Sequence, residues 1–513
     1  ISMFSKYNPI LTMDYLLNEE EGLKFERKEG KVVPKDLAKL LIAFANTEGG
    51  TVVIGQRNNK GFEGLKEYDQ NKIEKLIDAG AELCSPMIPV NKEKIKITND
   101  RGEEDFIYLI HIESSDKLHK RTDGKVYRRV GDSSIEAKDD VLRHLEYEKG
   151  TIKFENEIEP DIEIEDLDEK MFEVFKEEQK KKNNSYDKSF EEFLINTHLA
   201  TKKNGKILIK RSAALTFSPD DFSILSQSTI RIIKVDGKEA KSVNTSKMNE
   251  IESVNGSLYY QVNKTMDTLK KVIKSRSKIK DNGIFEVEYE YPLEAIKESL
   301  INAVTHRSYD LDGIEIMVYI FEDRIEIKSP GRLAGHMNEN NIMTDRFSRN
   351  KNIAKIMVFL GMVQKLGEGI DRIIESMEEQ DLPKPLFING EANFSVILRN
   401  EYVKNEAIDF MKNYGEEFKS SKKARRQEIM EEAKVLICNF YTIDVKKWNE
   451  LSPDEKMILV YAITEKKIYR KNIEKLINKS SSAAKETLSK INEKNLLKKS
   501  SDELNDRNFH YLK

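Results

Sequence analysis

Cysteine is nearly absent: Cys84 and Cys438 are the two in the chain, far apart and outside any CxxC pair. That argues against a thiolate zinc site and against a disulfide framework, and a reducing cytoplasm is expected. Long apolar runs are missing as well. No stretch approaches about 18 apolar residues, and no basic stretch leads into an apolar one near the start, so neither a membrane span nor a signal peptide is expected. An excess of either charge is also missing, with 86 Lys and Arg against 90 Asp and Glu and a net charge of −4. Whole-chain electrostatics therefore do not mark a nucleic-acid binder, and any basic surface has to be local. The 7 histidines fall in no metal-ligand spacing.

What the sequence has is charge, 34% of residues, and length, 513 residues. That is too long for one ordinary core, and roughly three to four domains are expected. The leading Ile-Ser-Met points to Met3 as the natural start. Pro34 suits a first helical turn ahead of Leu37, Leu40, Leu41 and Phe44 at helical spacing, with Gly49-Gly50 as the stop. TVVIG (51–55) reads as a buried strand, and KIKIT, DFIYLIHIE and KVYRRVG as three more, so residues 1–150 predict one α+β domain. Residues 151–285 open on an acidic linker, KFENEIEPDIEIEDLDEK, and continue as an intermediate α/β region. Residues 286–400 start with the helix YPLEAIKESLINAVTHRSY, pass through the strands IEIMVYIFED and RIEIKSPG, and close on FSVILRN after a glycine-led helix. Residues 401–513 are helical and lysine-rich, ending in LLKKSSDELNDRNFHYLK, which has the apolar ends and polar middle of a two-stranded wing. The fold class is an α+β multidomain protein.

Three constellations could carry chemistry. The first is EEEGLKFERKE (19–29). Leu23 and Phe25 alternate with Lys24 and Glu26, a strand's period of two, so Glu26 points away from Phe25. A metal-dependent phosphodiesterase needs two or three carboxylates for Mg²⁺ or Mn²⁺ and a cation for the phosphate. Glu21, Glu26 and Lys28 are the right types; a solvated edge strand is the plainer alternative. LKFERK, LLIAFANTEGGTVVIG and VYRRVGDSS together resemble the Schlafen/AlbA-type domain. The resemblance implies a nucleic-acid-binding module, and in some members an RNA- or tRNA-cutting site, with Glu21 and Glu26 as the metal-holding acids and Lys28 as the adjacent lysine. The sequence departs from that pattern at the third acid: Gln56-Arg57-Asn58-Asn59 follows Gly55, and a cation there repels a divalent ion. Glu48 or Asp69 would have to substitute. Lys120, Arg121, Tyr127, Arg128 and Arg129, with Lys117 and Lys125, form a local basic patch with an aromatic, suited to phosphates and a stacked base.

The second constellation is ESLINAVTHRSY, where Glu298 and Asn302 share a helix face four residues apart. LINAVTHRSY, DRIEIKSPGRL and KLGEGIDRI resemble a divergent GHKL-type ATP-binding domain, an α/β sandwich. The resemblance implies ATP, Asn302 as the Mg²⁺ ligand, Glu298 orienting the attacking water, and Gly331, Gly367 and Gly369 near the nucleotide. The turn Ser329-Pro330-Gly331 lacks the family's adenine-reading aspartate, so ATPase activity is expected to be weak or absent, and a retained fold serving dimerisation is the alternative. His306 is expected to pack beside that pocket. The third constellation, SSAAKETLSKI, is similar to a winged helix-turn-helix: Ala484, Leu488 and Ile491 face a core while Ser481, Ser482, Lys485 and Thr487 are free for a major groove.

Two functions follow from these resemblances. One is a nuclease effector acting on RNA, tRNA or DNA with Mg²⁺ or Mn²⁺, in phage defence and controlled by nucleotide or assembly. The other is a non-catalytic, ATP-responsive transcriptional regulator. Both are cytoplasmic homo-oligomers with nucleic acid as partner and no membrane.

Overall fold

The computed structural model describes residues 5–512 without 6, 9–10, 221, 227, 238–247, 280–284, 334–336, 338–340, 343, 345–347, 364–366, 391, 442, 444, 466–467, 495 and 500–510. The fold is mixed α+β, as the order of elements predicts. The chain divides into two compact units. Unit 1 is Ile1–Glu157 with Ser308–Asp310 and Leu333–Lys351; unit 2 is Ile158–Arg307, Leu311–Arg332 and Asn352–Lys513.

Unit 1 runs α1 (Met13–Asn18), β1 (Phe25–Lys28), α2 (Pro34–Ala45), β2 (Gly50–Ile54), α3 (Gln70–Ile77), α4 (Ala79–Glu82), β3 (Cys84–Ser85), β4 (Val90–Thr98), β5 (Glu104–Ile112), β6 (Lys120–Arg121), β7 (Tyr127–Val130), β8 (Ser133–Glu136) and α5 (Asp139–Glu148). Its main sheet has the order β1-β2-β5-β4, with β1 parallel to β2 and the other pairs antiparallel. α2 begins with Pro34, whose missing N–H costs nothing in a first turn. Val52, Ile54 and Ile110 pack with Leu37, Leu41 and Phe44 of α2 on one side of the sheet. Val53, Ile107 and Leu109 pack with Leu16 and Phe25 on the other. Alternation along β2 thus feeds two cores, which is why TVVIG reads as continuously apolar. The turn between α2 and β2 needs glycine: Gly49 has φ +73°, and a Cβ there would lie 2.5 Å from the Ile112 carbonyl oxygen.

Unit 2 begins with α6 (Lys170–Lys181), α7 (Phe190–Asn196), β9 (Ala200–Lys203), β10 (Lys206–Ile209), α8 (Arg211–Thr216), β11 (Ile230–Val235), β12 (Met248–Val254), α9 (Leu258–Val272), β13 (Ser275–Ile279) and β14 (Phe285–Tyr289). It continues through α10 (Leu293–His306), β15 (Ile316–Ile320), β16 (Arg324–Pro330), α11 (Lys351–Phe359), which straddles the division at its first residue, α12 (Gly369–Glu379), β17 (Leu386–Asn389) and β18 (Asn393–Arg399). Six strands form one sheet, β12-β11-β15-β16-β18-β17, in which β11 and β15 are parallel. α10 lies against β16 and against both α9 and α12, so sheet and helices make a two-layer α/β arrangement.

Helices α13 (Glu401–Ser420), α14 (Lys423–Glu432), α15 (Lys434–Tyr441), α16 (Val445–Glu450), α17 (Pro453–Thr464), α18 (Arg470–Ile477) and α19 (Ser481–Glu493) follow, then the short pair β19 (Lys498–Lys499) and β20 (Tyr511–Leu512). They share one core that includes Ile458, Leu459, Ile473, Ala484, Leu488 and Ile491. The middle of the expected wing, residues 500–510, lies outside the described residues, as do Lys365 and Leu366 of KLGEGIDRI. Among the described residues no helix is long and apolar enough to cross a membrane.

Candidate functional site

EEEGLKFERKE folds as a hook. The Gly22 N–H donates to the Phe25 carbonyl, and the Arg27 N–H donates to Glu21 Oε1 at 2.8 Å, fixing that carboxylate against the start of β1. Phe25 enters the core and Glu26 projects the other way, as the alternation predicts. The face it meets is covered. Glu26 is 5% exposed; its Oε2 accepts from Arg129 at 2.8 Å and its Oε1 contacts Lys28. Arg129 is 1% exposed, lies over the Phe44 ring, donates to Ser134 Oγ at 3.1 Å and also reaches the Gly22 carbonyl. Both oxygens of Glu26 are therefore engaged by cations.

Neither candidate third acid joins this pair. Glu48 is ion-paired with Lys24 at 2.8 Å, and Asp69 caps α3 through the Asn71 N–H. Arg57 turns to Asp100. Among the described residues no group of three or more His, Cys, Asp and Glu side chains is placed to hold a metal ion. Mg²⁺ and Mn²⁺ call for several hard oxygens around one point, and a carboxylate already bridging a lysine and a buried arginine does not offer them. The donor set does not fit the metal.

The basic strand divides by face. Tyr127 and Arg129 point inward, and burial raises the Tyr127 hydroxyl pKa. Arg121 is nearly buried, held by Asp123 at 2.6 Å and stacked on Tyr127, while Lys125 pairs with Glu136 at 3.1 Å. Lys120 is exposed. Arg128 is half-buried on the outward face, opposite Ile135 in the β7–β8 hairpin and beside exposed Val130. Its Nε is buried with no hydrogen-bond partner among the described residues.

In unit 2, Glu298 and Asn302 do share a face of α10, and they meet the start of α12. A Cβ on Gly369 would lie 2.4 Å from Glu298 Oε1 and 2.8 Å from Asn302 Nδ2, so a larger residue would push these side-chain ends aside. Glu298 is buried, 3.5 Å from Arg372 of α12. Burial raises its carboxyl pKa, against the opposing pull of Arg372. Gly331 has φ +96° and donates its N–H to the Ala392 carbonyl; two residues earlier, Ser329 Oγ donates to the Ala303 carbonyl, next to Asn302. Gly367 also takes a positive φ, +88°. His306, expected to pack beside these groups, is exposed at the end of α10.

At the C-terminus, α18 is followed by its C-cap Asn478 in the left-handed conformation, and α19 starts three residues later, capped by Ser480. Ala484, Leu488 and Ile491 are buried while Ser481, Ser482 and Lys485 are exposed. Thr487 is half-buried, its hydroxyl donating to the Ala483 carbonyl at 2.9 Å.

Burial of two arginines escaped the sequence reading. Arg27 is enclosed, donating to the Leu16 and Glu19 carbonyls, and Arg129 is the counter-charge of Glu26. Cys84 is an inert thiol: burial pushes its pKa up to about 12.

Two family models match the chain. Residues 21–138 match the family described as Schlafen, AlbA_2, and residues 313–398 match the one described as putative ATP-dependent DNA helicase recG C-terminal. No curated protein matches. Among solved structures, the crystal structure of the DIP2311 protein from Corynebacterium diphtheriae is similar at 16% identity with a TM-score of 0.40, over 91% of this chain and 87% of that one. The chain thus carries a region similar to the Schlafen AlbA_2 family and, after it, one similar to the RecG C-terminal family, which bears out the expected AlbA-type plus ATPase-type architecture.

Proposed function

We propose that this chain is a nucleic-acid-binding regulator that senses a nucleotide, and that its AlbA-like region holds nucleic acid without cutting it. The observation that carries this reading is the state of Glu26, whose carboxylate is tied to Lys28 and to buried Arg129. A nuclease would need those oxygens for its metal. The outward Arg128 and exposed Lys120 are the phosphate contacts of this unit, and α19, presenting Ser481, Ser482 and Lys485, is the helix that enters a major groove. ATP would be held by Asn302, with the phosphates received near Gly367 and Gly369 at the start of α12. Glu298 has the raised pKa a general base needs, but Arg372 stands against it. Binding with little turnover is the expectation.

The test is incubation of labelled tRNA, single-stranded RNA and single-stranded DNA with the protein and Mg²⁺ or Mn²⁺, with and without ATP. Intact substrates with retained binding are expected. Cleavage that disappears in Glu21→Ala would overturn the reading and establish the nuclease. Glu21 is the informative position, because replacing Glu26 also strips a buried arginine of its partner.

A further inference from the structure

Among the described residues β4 is an edge strand of the unit 1 sheet, pairing with β5 over nine residues, from Val90 opposite Ile112 to Thr98 opposite Glu104. Alternation puts Lys92, Lys94 and Lys96 on one face, all exposed, and Glu93 and Ile97 on the other, both buried. Successive lysines stand about 6.6–6.8 Å apart along the strand, comparable to the repeat of an extended polynucleotide backbone. The neighbouring strand supplies rings on the same face. Tyr108 lies opposite Lys94 and Phe106 opposite Lys96, the two rings meet edge-to-face at 5.9 Å, and Lys94 Nζ sits 3.7 Å from the Phe106 centroid. Both rings are half-buried, rooted on the α2 core and open on their outer side. Among the described residues none of the three lysines has an ion-pair partner.

Lysines on an edge strand also deter pairing with another sheet. That role needs charge alone and gives no reason for three cations in register with two rings. We infer that this edge is a binding site for single-stranded nucleic acid, with successive phosphates on Lys92, Lys94 and Lys96 and a base against the open side of Phe106 and Tyr108. Stacking on a ring is indifferent to base identity, so the site takes a strand by its backbone and its unpaired bases rather than by sequence. The inference rests on the reading that unit 1 handles nucleic acid and names the form it takes there.

The experiment uses the full-length chain and fluorescence anisotropy with labelled oligo(dT), oligo(rU) and a duplex over a range of salt. Lys92→Gln/Lys94→Gln/Lys96→Gln should lower single-strand affinity by roughly 10-fold or more at low salt and flatten the log–log salt dependence by about 2, three phosphate contacts at ~0.7 each. Phe106→Leu should weaken binding and leave that slope unchanged, and duplex binding should survive both. Comparing oligo(dT) with oligo(rU) identifies which sugar the site prefers. Single-strand affinity and slope unchanged in the triple variant would overturn the site, as would equally effective competition by poly-glutamate. Self-association of the triple variant at unchanged affinity would assign the lysines to edge protection instead. Binding of duplex with none of single strands overturns this site alone; binding of no nucleic acid overturns the proposed function with it.

Discussion

Glu26 and Arg129 are 103 residues apart in sequence and form an ion pair that water scarcely reaches. Breaking such a pair costs far more than the pair contributes, because the survivor is left charged in a poor solvent. Glu26→Ala should therefore destabilise the protein by about 3–5 kcal/mol, while Glu26→Leu/Arg129→Met should cost clearly less than the sum of the single changes. Urea denaturation of the three variants checks this, and additive losses would mean the two groups act independently. Glu298 offers a second residue-scale test. Its carboxyl pKa is raised by burial, with Arg372 opposing, so the folded chain holds that proton more tightly than the unfolded one. The corresponding stability is complete below the ordinary glutamate value of about 4.3 and is lost as pH rises through the folded value. Glu298→Gln removes the titration. The stability gap between wild type and Glu298→Gln should shift against wild type from acid to neutral pH, and parallel denaturation profiles across that window would rule the linkage out.

At the scale of elements, α19 is the one on which the regulator reading depends. Its buried face anchors it to α17 and α18, and its open face carries no group the core needs. Ser482→Glu/Lys485→Glu should accordingly leave the thermal midpoint in place and reduce duplex affinity on the order of 10-fold or more, the scale of lost groove contacts. Undiminished duplex binding would take this helix out of the interface. Elements were also what the sequence made most legible. AFANTEGG can be read because each position has a local duty: apolar residues end α2, Gly49 makes a turn closed to a Cβ, and Asn46 sits between them. The partners of Asn46 could not be read. Its amide donates to the His119 and Tyr127 carbonyls and accepts from the His119 N–H, 73 to 81 residues away. KVYRRV failed for a related reason. One face carries Lys125, Tyr127 and Arg129 and the other Val126, Arg128 and Val130, so each mixes cations with apolar or aromatic residues and periodicity cannot say which is inside; the buried partner of Arg129, Glu26, lies far away in sequence. In α10 the four-residue spacing of Glu298 and Asn302 was visible, whereas their packing on Gly369 depends on how α12 docks.

For the molecule as a whole, the composition of unit 1 is the informative fact. Residues 1–157 are most of it, but Ser308–Asp310 and Leu333–Lys351 belong to it too. Tyr309 is almost wholly buried and stacks with Phe154 at 6.2 Å, and Asp310 is held by His144 of α5 and by Ser308. A fragment ending at residue 157 lacks these partners. Amides of α5 should then exchange roughly 10-fold or more faster in the fragment than in the intact chain, read by hydrogen–deuterium exchange. Equal protection would show that the first 157 residues are self-sufficient. The region similar to the RecG C-terminal family, 313–398, contains the Leu333–Lys351 segment, so one sequence family contributes to both compact units.

Unit 1 also sets a schedule for synthesis. Its N-terminal part leaves the ribosome first, yet Phe154 and His144 cannot meet Tyr309 and Asp310 until these have emerged, about one hundred and fifty residues after residue 157. At about 5–20 residues per second that is a wait of roughly 8–30 seconds, during which Phe154 and His144 stand without their companions, available to a chaperone or to a neighbouring nascent chain.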